Sequence, residues 1–157
     1  MTQDPIEYTS TDITGVEHIR PLWEMLNFHH HARARAFRNV YSSWTFDDRK
    51  DYFLHLAAAG PFRIDLASDP ATGRYVGYCV SSISPEGAGE IESVFVIPAF
   101  RSLGTGTVLM ENALAWLSAQ NPVRIRVSVA DGNEEVFLFY EKFGFFPRMT
   151  VLEQKRE

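Results

Sequence analysis

The sequence predicts an α/β (α+β) fold built as one domain over residues 1–157, with helices packed on the faces of a mixed sheet. Its 157 residues match a soft expectation of about 150 residues per domain. Hydrophobic residues make up 45% of the chain and charged residues 22%, which is typical of globular proteins. The apolar residues follow a helical period before Gly60-Pro61 and mostly an alternating one after it, and that change indicates both element types in one domain.

The first third of the chain is predicted to contain a short strand and two helices. Alternating side chains over Ile6–Thr9 indicate the strand. Thr14 and Glu17 have the spacing of a capping box, which predicts a helix start, and Pro21 should either kink that helix or mark its effective start. The second helix should begin at Thr45, where acidic residues follow a capping side chain.

The rest of the chain is predicted to consist of strands and helices separated by turn-forming residues. The resulting order of elements is β-α-α-β-β-β-α-β-α-β. After the second helix, the predicted elements are strands Phe62–Ser68, Arg74–Ser84 and Glu90–Ile97, a helix over Thr107–Gln120, a strand over Arg124–Val129, a helix over Glu134–Phe143 and an edge strand over Pro147–Leu152.

Composition excludes several classes of protein. Fifteen Lys and Arg against twenty Asp and Glu give a formal charge of −5, which argues against a nucleic-acid partner. The single cysteine, Cys79, can form neither an internal disulfide nor a paired-cysteine metal site, and we expect a small buried side chain there. The single cysteine also favours a protein without a bound metal. The N-terminus has no signal-peptide pattern and no segment is apolar for long enough to span a membrane, so we expect a cytoplasmic protein.

One loop carries most of the chemistry that can be inferred from residues alone. The predicted fourth strand runs into a loop that contains Gly104 and Gly106, directly before an amphipathic helix. Glycines allow close approach of a ligand, the helix start favours an anion, and Arg101 offers a fixed set of donors to phosphate. The loop therefore fits a pyrophosphate site, although it matches neither a Walker A loop nor a full dinucleotide fingerprint. An ordinary strand-to-helix turn with a solvated arginine explains the same residues equally well.

Two motifs in order resemble those of the Gcn5-related N-acetyltransferase (GNAT) superfamily. The first is Arg101-x-x-Gly104-x-Gly106 after the fourth strand. The second runs from Asn133 through Tyr140 to Gly144-Phe145. The resemblance covers Arg74 to about Arg148 in detail, with Ser102 where the family often has glycine. It implies a GNAT-type, mostly antiparallel central sheet flanked by helices, and an acetyl-CoA-dependent N-acetyltransferase.

The resemblance also implies the residues that would hold acetyl-CoA. Asn133 and Tyr140 would lie beside the pantetheine and the thioester sulfur. Backbone groups of three residues on the fourth strand would pair with the pantetheine arm, namely Val94, Phe95 and Val96. The loop that would hold the pyrophosphate consists of Arg101, Ser102, Leu103, Gly104, Thr105, Gly106 and Thr107.

Tyr140 and Glu92 are the predicted catalytic residues. A phenol can reprotonate a departing thiolate, so Tyr140 suits the general acid. Glu92 is the predicted base that removes the amine's proton, with Glu90 or ordered water as alternatives. Each residue also has a structural explanation: Tyr140 as a core aromatic, the glutamates as a solvated strand face, and Asn133 as a helix N-cap.

The acceptor site is expected near the end of the first helix. Trp23, Phe28, His29 and His30 are predicted to line it, and the acceptor would be a small-molecule or peptide amine. The histidine run is not predicted to bind metal, because zinc-binding helices space their ligands four residues apart. A homodimer is compatible with the family. The alternative function is a catalytically silent acyl-CoA-binding regulatory module.

Overall fold

In the computed structural model, which describes residues 5–156, five strands form one sheet in the order β1-β2-β3-β4-β5. The strands are β1 (Glu7–Thr11), β2 (Phe62–Asp69), β3 (Arg74–Ile83), β4 (Ala88–Val96) and β5 (Arg124–Val127). The helices are α1 (Arg20–Arg33), α2 (Arg38–Ser43), α3 (Phe46–Ala59), α4 (Thr105–Ala119) and α5 (Phe137–Glu141).

The sheet is mixed, as the sequence predicts. Strands β1 to β4 pair antiparallel with their neighbours, and β5 alone lies parallel to β4. A parallel pair needs a crossover, and the α4 helix between β4 and β5 supplies it. This arrangement confirms the predicted mostly antiparallel sheet flanked by helices.

Each face of the sheet buries its own apolar cluster. On one face, Trp23 of α1 and Phe53 of α3 pack with Tyr78 of β3 and Phe95 of β4. On the other face, α4 packs its fully buried apolar residues against the sheet, and α5 adds Tyr140. The alternation of side chains along β3 and β4 therefore decides which residues meet α1 and α3 and which meet α4 and α5.

The start of the first helical segment differs from the prediction. Asp12, not Thr14, is the capping residue, because its side chain accepts from the Thr14 amide at 2.9 Å and a 3₁₀ turn over Ile13–Ile19 follows. The predicted capping box at Thr14 is therefore wrong, and Glu17 instead forms an ion pair with Arg20. Pro21 lies in the first turn of α1, where its missing amide hydrogen costs nothing.

Helix α3 begins as predicted. Thr45 accepts from the Asp48 amide while the Asp48 side chain accepts from Thr45, so both halves of a capping box are present. The short helix α2 was not predicted, because its six residues are too few to show a helical period.

The C-terminal part contains two departures from prediction. Residues 147–152 form no strand and are exposed, so the predicted edge strand Pro147–Leu152 is wrong. Proline cannot donate to a ladder, and the apolar side chains in this segment find no partner strand. The helix predicted over Glu134–Phe143 is a 3₁₀ turn over Glu134–Val136 followed by α5. The chain then turns at Gly144, whose φ is +84°.

Candidate active site

Strand β4 carries a bulge at Glu92. Val80 pairs with Ser93 and Ser81 with Ile91, so Glu92 has no partner on β3. The bulge places neighbouring side chains on the same face: Ser93 bonds Tyr78 at 2.7 Å and Glu92 accepts from Ser82 at 2.7 Å. Both glutamate and serine therefore face α1 and α3.

Beyond their paired residues, β4 and β5 separate and leave a gap that we call the fork. Pairing ends at Ile91 and Val127, while β4 continues to Val96. A cavity of about 350 Å³ lies along the free part of β4, and a smaller one of about 50 Å³ lies deeper between the strands. Asn133 and Tyr140 line both cavities, so the fork is one continuous candidate site.

The backbone of β4 offers unpaired groups to the fork. The Ile97 amide bonds the Val76 carbonyl at 2.9 Å, which fixes the alternation of the ladder. Counting back from that bond, the amides and carbonyls of Val96 and Val94 point away from β3 and into the fork. Those of Phe95 point toward β3, so the backbone contact predicted for Phe95 is not available, although the residue does line the larger cavity.

The glycine loop forms a cradle at the start of α4. Gly104 has φ +74° and ends a 3₁₀ turn over Pro98–Leu103, and a side-chain carbon built on it would meet nothing within 4 Å. The first amides of α4 face that open space and favour an anion. Arg101 lines the same cavity and donates from Nε to the Val96 carbonyl at 2.8 Å, with its guanidinium carbon 5.4 Å from the ring centre of Phe95.

The loop residues do not all reach the cavity. Arg101, Gly104, Gly106 and Thr107 line it. Ser102 and Leu103 are exposed and lie outside the lining, so only their amides could contribute. Thr105 is fully buried under the helix, and its hydroxyl has no partner among the described residues.

Gly106 has a packing role besides its place in the cavity lining. A side-chain carbon built there would lie 3.4 Å from the ring of Phe139, in van der Waals contact, so the packing leaves room for little more than that carbon. The motif therefore joins a ligand-facing glycine, Gly104, to a packing glycine.

Tyr140 and Asn133 lie together in the fork, as the second motif predicts. Tyr140 is only 8% exposed, and burial raises the pKa of its hydroxyl. Asn133 is also buried, and His29 donates from Nε2 to its Oδ1 at 3.2 Å. This bond directs the amide nitrogen of Asn133 away from His29, where it remains free to donate to a ligand.

The two glutamates occupy adjacent places on the face toward α3. Glu92 lines the smaller cavity together with His30 and Tyr140. Glu90 is half-buried beside Arg126, with Nε and Oε2 3.7 Å apart. Burial, and then the charge of Glu92, raises the pKa of Glu90. The structure thus brings Glu92, not Glu90, to the cavity that contains Tyr140.

The four residues predicted for the acceptor site are separated by the structure. His29 lines the larger cavity and His30 the smaller one. Trp23 is 5% exposed and packs in the core 5.7 Å from Phe46, so it does not face the fork. Phe28 is 73% exposed and lines neither cavity. Trp23 and Phe28 are thus not placed to contact an acceptor there.

His30 sits in an environment that disfavours its charged form. Burial, followed by the charges of His29 and Arg49, lowers the pKa of His30 to about 4. Its Nδ1 is buried and has no partner among the described residues. The imidazole is therefore neutral at physiological pH.

Among residues 5–156 no group of three or more His, Cys, Asp or Glu side chains is arranged to hold a metal ion, the histidine run included. Cys79 is fully buried, as expected for a small apolar side chain, and burial raises the pKa of its thiol. No helix within the described range is long and apolar enough to cross a membrane.

Residues that the sequence analysis missed also surround the fork. Val136 and Phe139 line its cavities, and their spacing on the second motif could have indicated this. Leu26 and Lys142 line the larger cavity as well. Arg49 contacts β4 from α3, and no local pattern identifies it because it lies far from β4 along the chain.

Comparison with known proteins decides the family. The chain matches the acetyltransferase (GNAT) family over residues 23–145. It belongs to the GNAT family. A phosphinothricin N-acetyltransferase of Streptomyces coelicolor is 28% identical over 136 residues, covering 83% of this chain and 78% of the relative.

Solved GNAT structures share the fold. A GCN5-related N-acetyltransferase from Ralstonia eutropha superimposes with a TM-score of 0.74 at 17% identity, covering 96% of this chain and 99% of the other. An aminoglycoside N-acetyltransferase solved in complex with CoA has a TM-score of 0.69 at 17% identity, covering 97% and 95%.

Family membership gives the fork a ligand. As a GNAT member the chain is an N-acetyltransferase that uses acetyl-CoA. Three features of the structure fit this cosubstrate: the open cradle at Gly104, the backbone of Val94 and the amide of Val96 that point away from β3, and the cavity that joins them. A strand with a free edge can pair with an extended amide chain, and a helix start can hold an anion.

Proposed function

We propose that this enzyme transfers the acetyl group of acetyl-CoA directly to the primary amine of a small molecule, with both substrates bound together. The observation that carries the proposal is the position of Tyr140, a buried hydroxyl shared by both cavities of the fork. The larger cavity continues to the cradle, and the smaller one is lined by Glu92 and by His30 of α1. Two substrates can therefore meet at Tyr140 from opposite sides.

A small-molecule acceptor is supported by the relatives. Curated and structural relatives are named as acetyltransferases of phosphinothricin and of aminoglycosides, and both names refer to small molecules. The pocket beside Glu92 measures about 50 Å³, which suits an amino group and its nearest atoms better than a peptide segment. We therefore favour a small amine over a peptide acceptor.

In the proposed chemistry, Glu92 is the proton acceptor and Tyr140 is the proton donor. Glu92 accepts the proton of the ammonium, so that the amine can attack the acetyl carbonyl. Negative charge then develops on the acetyl oxygen, and the Val96 amide, which points into the fork, is placed to donate to it. The bond to sulfur breaks and Tyr140 donates its proton to the thiolate. The nitrogen loses its remaining extra proton as the amide forms, and that proton restores the Tyr140 hydroxyl.

Burial supports the role of Tyr140. The raised pKa of its hydroxyl keeps the proton on oxygen at neutral pH. A thiolate released in the same desolvated site is also more basic than in water, where a thiol has a pKa of about 8.5. The proton therefore has a donor and a favourable acceptor in one cavity.

Tyr140→Phe tests the proposal because it removes the hydroxyl and keeps the ring. We expect kcat to fall by about 10²- to 10⁴-fold, with acetyl-CoA affinity and melting temperature unchanged. Thiol release is measured with phosphinothricin, aminoglycosides, amino acids and polyamines as acceptors. A fully active variant would show that Tyr140 is only a core aromatic. Binding of acetyl-CoA without thiol release by wild type would instead support the silent regulatory module.

Glu92→Gln tests the proposed base. Turnover should fall at neutral pH and recover partly as pH rises, because more of the amine is then uncharged without assistance. Glu90→Gln is the matched control, since Glu90 shares the strand face but not the small cavity. A wild-type pH profile in Glu92→Gln, or a stronger effect in Glu90→Gln, would remove Glu92 from this role.

A further inference from the structure

Arg49 of α3 is a half-buried cation without a carboxylate partner. Four Arg and Lys residues of the described chain are half-buried. Arg20, Lys50 and Arg63 each bond a carboxylate, at 2.7 to 2.8 Å. Arg49 has none within ion-pairing distance among residues 5–156, and its one hydrogen bond goes to the Glu92 carbonyl at 2.8 Å. A half-buried guanidinium with unused donors favours an anion.

The bulge in β4 explains why Arg49 is held so close to the reaction site. Glu92 has no partner on β3, and Arg49 Nη2 donates to its carbonyl. The guanidinium carbon also lies 4.8 Å from the ring centre of Phe53 and 5.0 Å from that of Tyr52. A backbone bond and two aromatic rings therefore fix the guanidinium and leave most of its N–H groups unused.

The position of Arg49 relates it to the acceptor rather than to acetyl-CoA. It lies on the α3 side of the sheet, next to the residue whose carboxylate is the proposed base. The cradle and Arg101 lie at the far end of β4 and on the opposite side of the fork. Arg49 does not line either cavity itself, but it borders the small one through its bond to the Glu92 carbonyl. Its charge acts on His30, which lines that cavity, and on the carboxyl of Glu90. An anion bound at Arg49 would thus belong to the molecule that brings the amine.

We propose that Arg49 binds a carboxylate of the acceptor, and that the acceptor is therefore an amino acid or a close analogue with a carboxylate near its primary amine. The inference rests on the proposed function. The Glu92 side chain receives the amine, and Arg49, which is bonded to the Glu92 carbonyl, receives the carboxylate. The two residues together recognise both charges of a zwitterion. Arginine presents a planar pair of donors that matches a carboxylate.

The experiment compares L-α-amino acids with two neutral analogues of each. The α-carboxamide has a less basic amine than the amino acid, and the decarboxylated amine has a more basic one, so a preference over both cannot come from amine basicity. We expect wild-type kcat/KM to be about tenfold or more higher for the free acids. Equal or higher values for the neutral analogues would overturn the inference.

Arg49→Gln should remove this preference: kcat/KM for the free acids should fall to the level of the neutral analogues, by a larger factor than kcat/KM for the neutral analogues falls, and the affinity for acetyl-CoA should not change. Lys50→Gln is the matched control, because it removes the next cation of the same helix, whose ammonium bonds Glu17. The control should keep the preference. A preference that persists in Arg49→Gln, or an equal loss on acids and neutral analogues, would show a structural role and overturn the inference.

The outcomes also distinguish the inference from the proposed function. Acetylation confined to amines without a carboxylate, such as polyamines or aminoglycosides, would overturn the role of Arg49 and leave the N-acetyltransferase intact. Binding of acetyl-CoA with no thiol release for any amine would overturn both. Because the wild-type comparison needs no variant, it remains decisive even where Arg49→Gln fails to fold.

Discussion

At the scale of single residues, His30 links the acceptor side of the fork to acid stability. Its ring lies 5.6 Å from that of Tyr41, it shares the small cavity with Glu92, and Arg49 and His29 lie near it. The folded pKa of about 4 is below the ordinary histidine value of about 6.5. Between these values the unfolded chain binds the proton and the folded chain does not, so His30 should lower stability as pH falls through this window.

His30→Gln should remove that dependence. The free energy of unfolding of wild type should fall between pH 6.5 and 4 faster than that of the variant, by at most about 1.4 kcal/mol per pH unit. Urea unfolding at a series of pH values measures both slopes. Parallel curves would mean that His30 takes up its proton without a cost to folding.

Single residues of the site differ in whether the sequence could predict them. Gly104, Asn133 and Tyr140 were identified because their partners lie a few positions away in two local motifs. Arg49 was not, since it lies 43 positions from Glu92 and contacts it only in the folded chain. Trp23 was placed in the acceptor site, but an apolar residue on a helix stripe most often packs in the core, as it does here.

At the scale of elements, the cradle at the start of α4 depends on an open space beside a positive-φ glycine. Gly104→Val should abolish acetyl-CoA binding, because its side chain would fill the space that the anion needs. Gly73→Val is a matched control: its φ of +69° is similar, and nothing lies within 4 Å of its added carbon either. Both variants bear the same kind of backbone strain.

Calorimetry with acetyl-CoA on the two folded variants separates strain from ligand exclusion. Loss of binding in Gly104→Val alone supports the cradle. Equal affinities in both variants would show that the pyrophosphate binds elsewhere. Gly106 is less suitable for this test, because an added carbon there already contacts the ring of Phe139 at 3.4 Å, and the branches of a valine would act on packing as well as on the ligand.

Residue type and alternation predicted most helices and strands, with the cap at Thr14 an exception, whereas the details of strand pairing were missed. The cap at Thr45 and the strands of the antiparallel sheet follow from residue type and alternation. The bulge at Glu92 adds one residue to a strand, and the polar pair Glu92-Ser93 is too short a break in the alternation to identify it. The segment over residues 147–152 alternates like a strand but has no neighbour to pair with.

At the scale of the whole molecule, the two loops on either side of the fork touch each other. Arg33 and Arg35, at and just after the end of α1, form ion pairs with Glu135, Asp131 and Glu134 in the segment after β5. These pairs are exposed and contribute little by themselves. His29 adds its bond to Asn133, so the end of α1 and the segment after β5 are joined through one contact region.

Gly132 is the residue that allows this contact. A side-chain carbon built on it would lie 2.1 Å from the Arg33 carbonyl oxygen, so only glycine fits, and its φ is +90°. Gly132→Ala should push the segment that carries Asn133 away from α1 and lengthen the bond from His29. We expect the KM for acetyl-CoA to rise together with a loss of stability. A role limited to folding would lower stability and leave KM unchanged.

Gly144→Ala provides the control for backbone strain, since its φ of +84° is similar and its added carbon would meet nothing within 4 Å. Both variants lose the ease with which glycine adopts positive φ, which costs about 1–2 kcal/mol. Only Gly132→Ala loses the contact across the fork. Steady-state kinetics and thermal unfolding of the pair therefore measure the contact itself, and an equal KM in both variants would show that the two loops act independently.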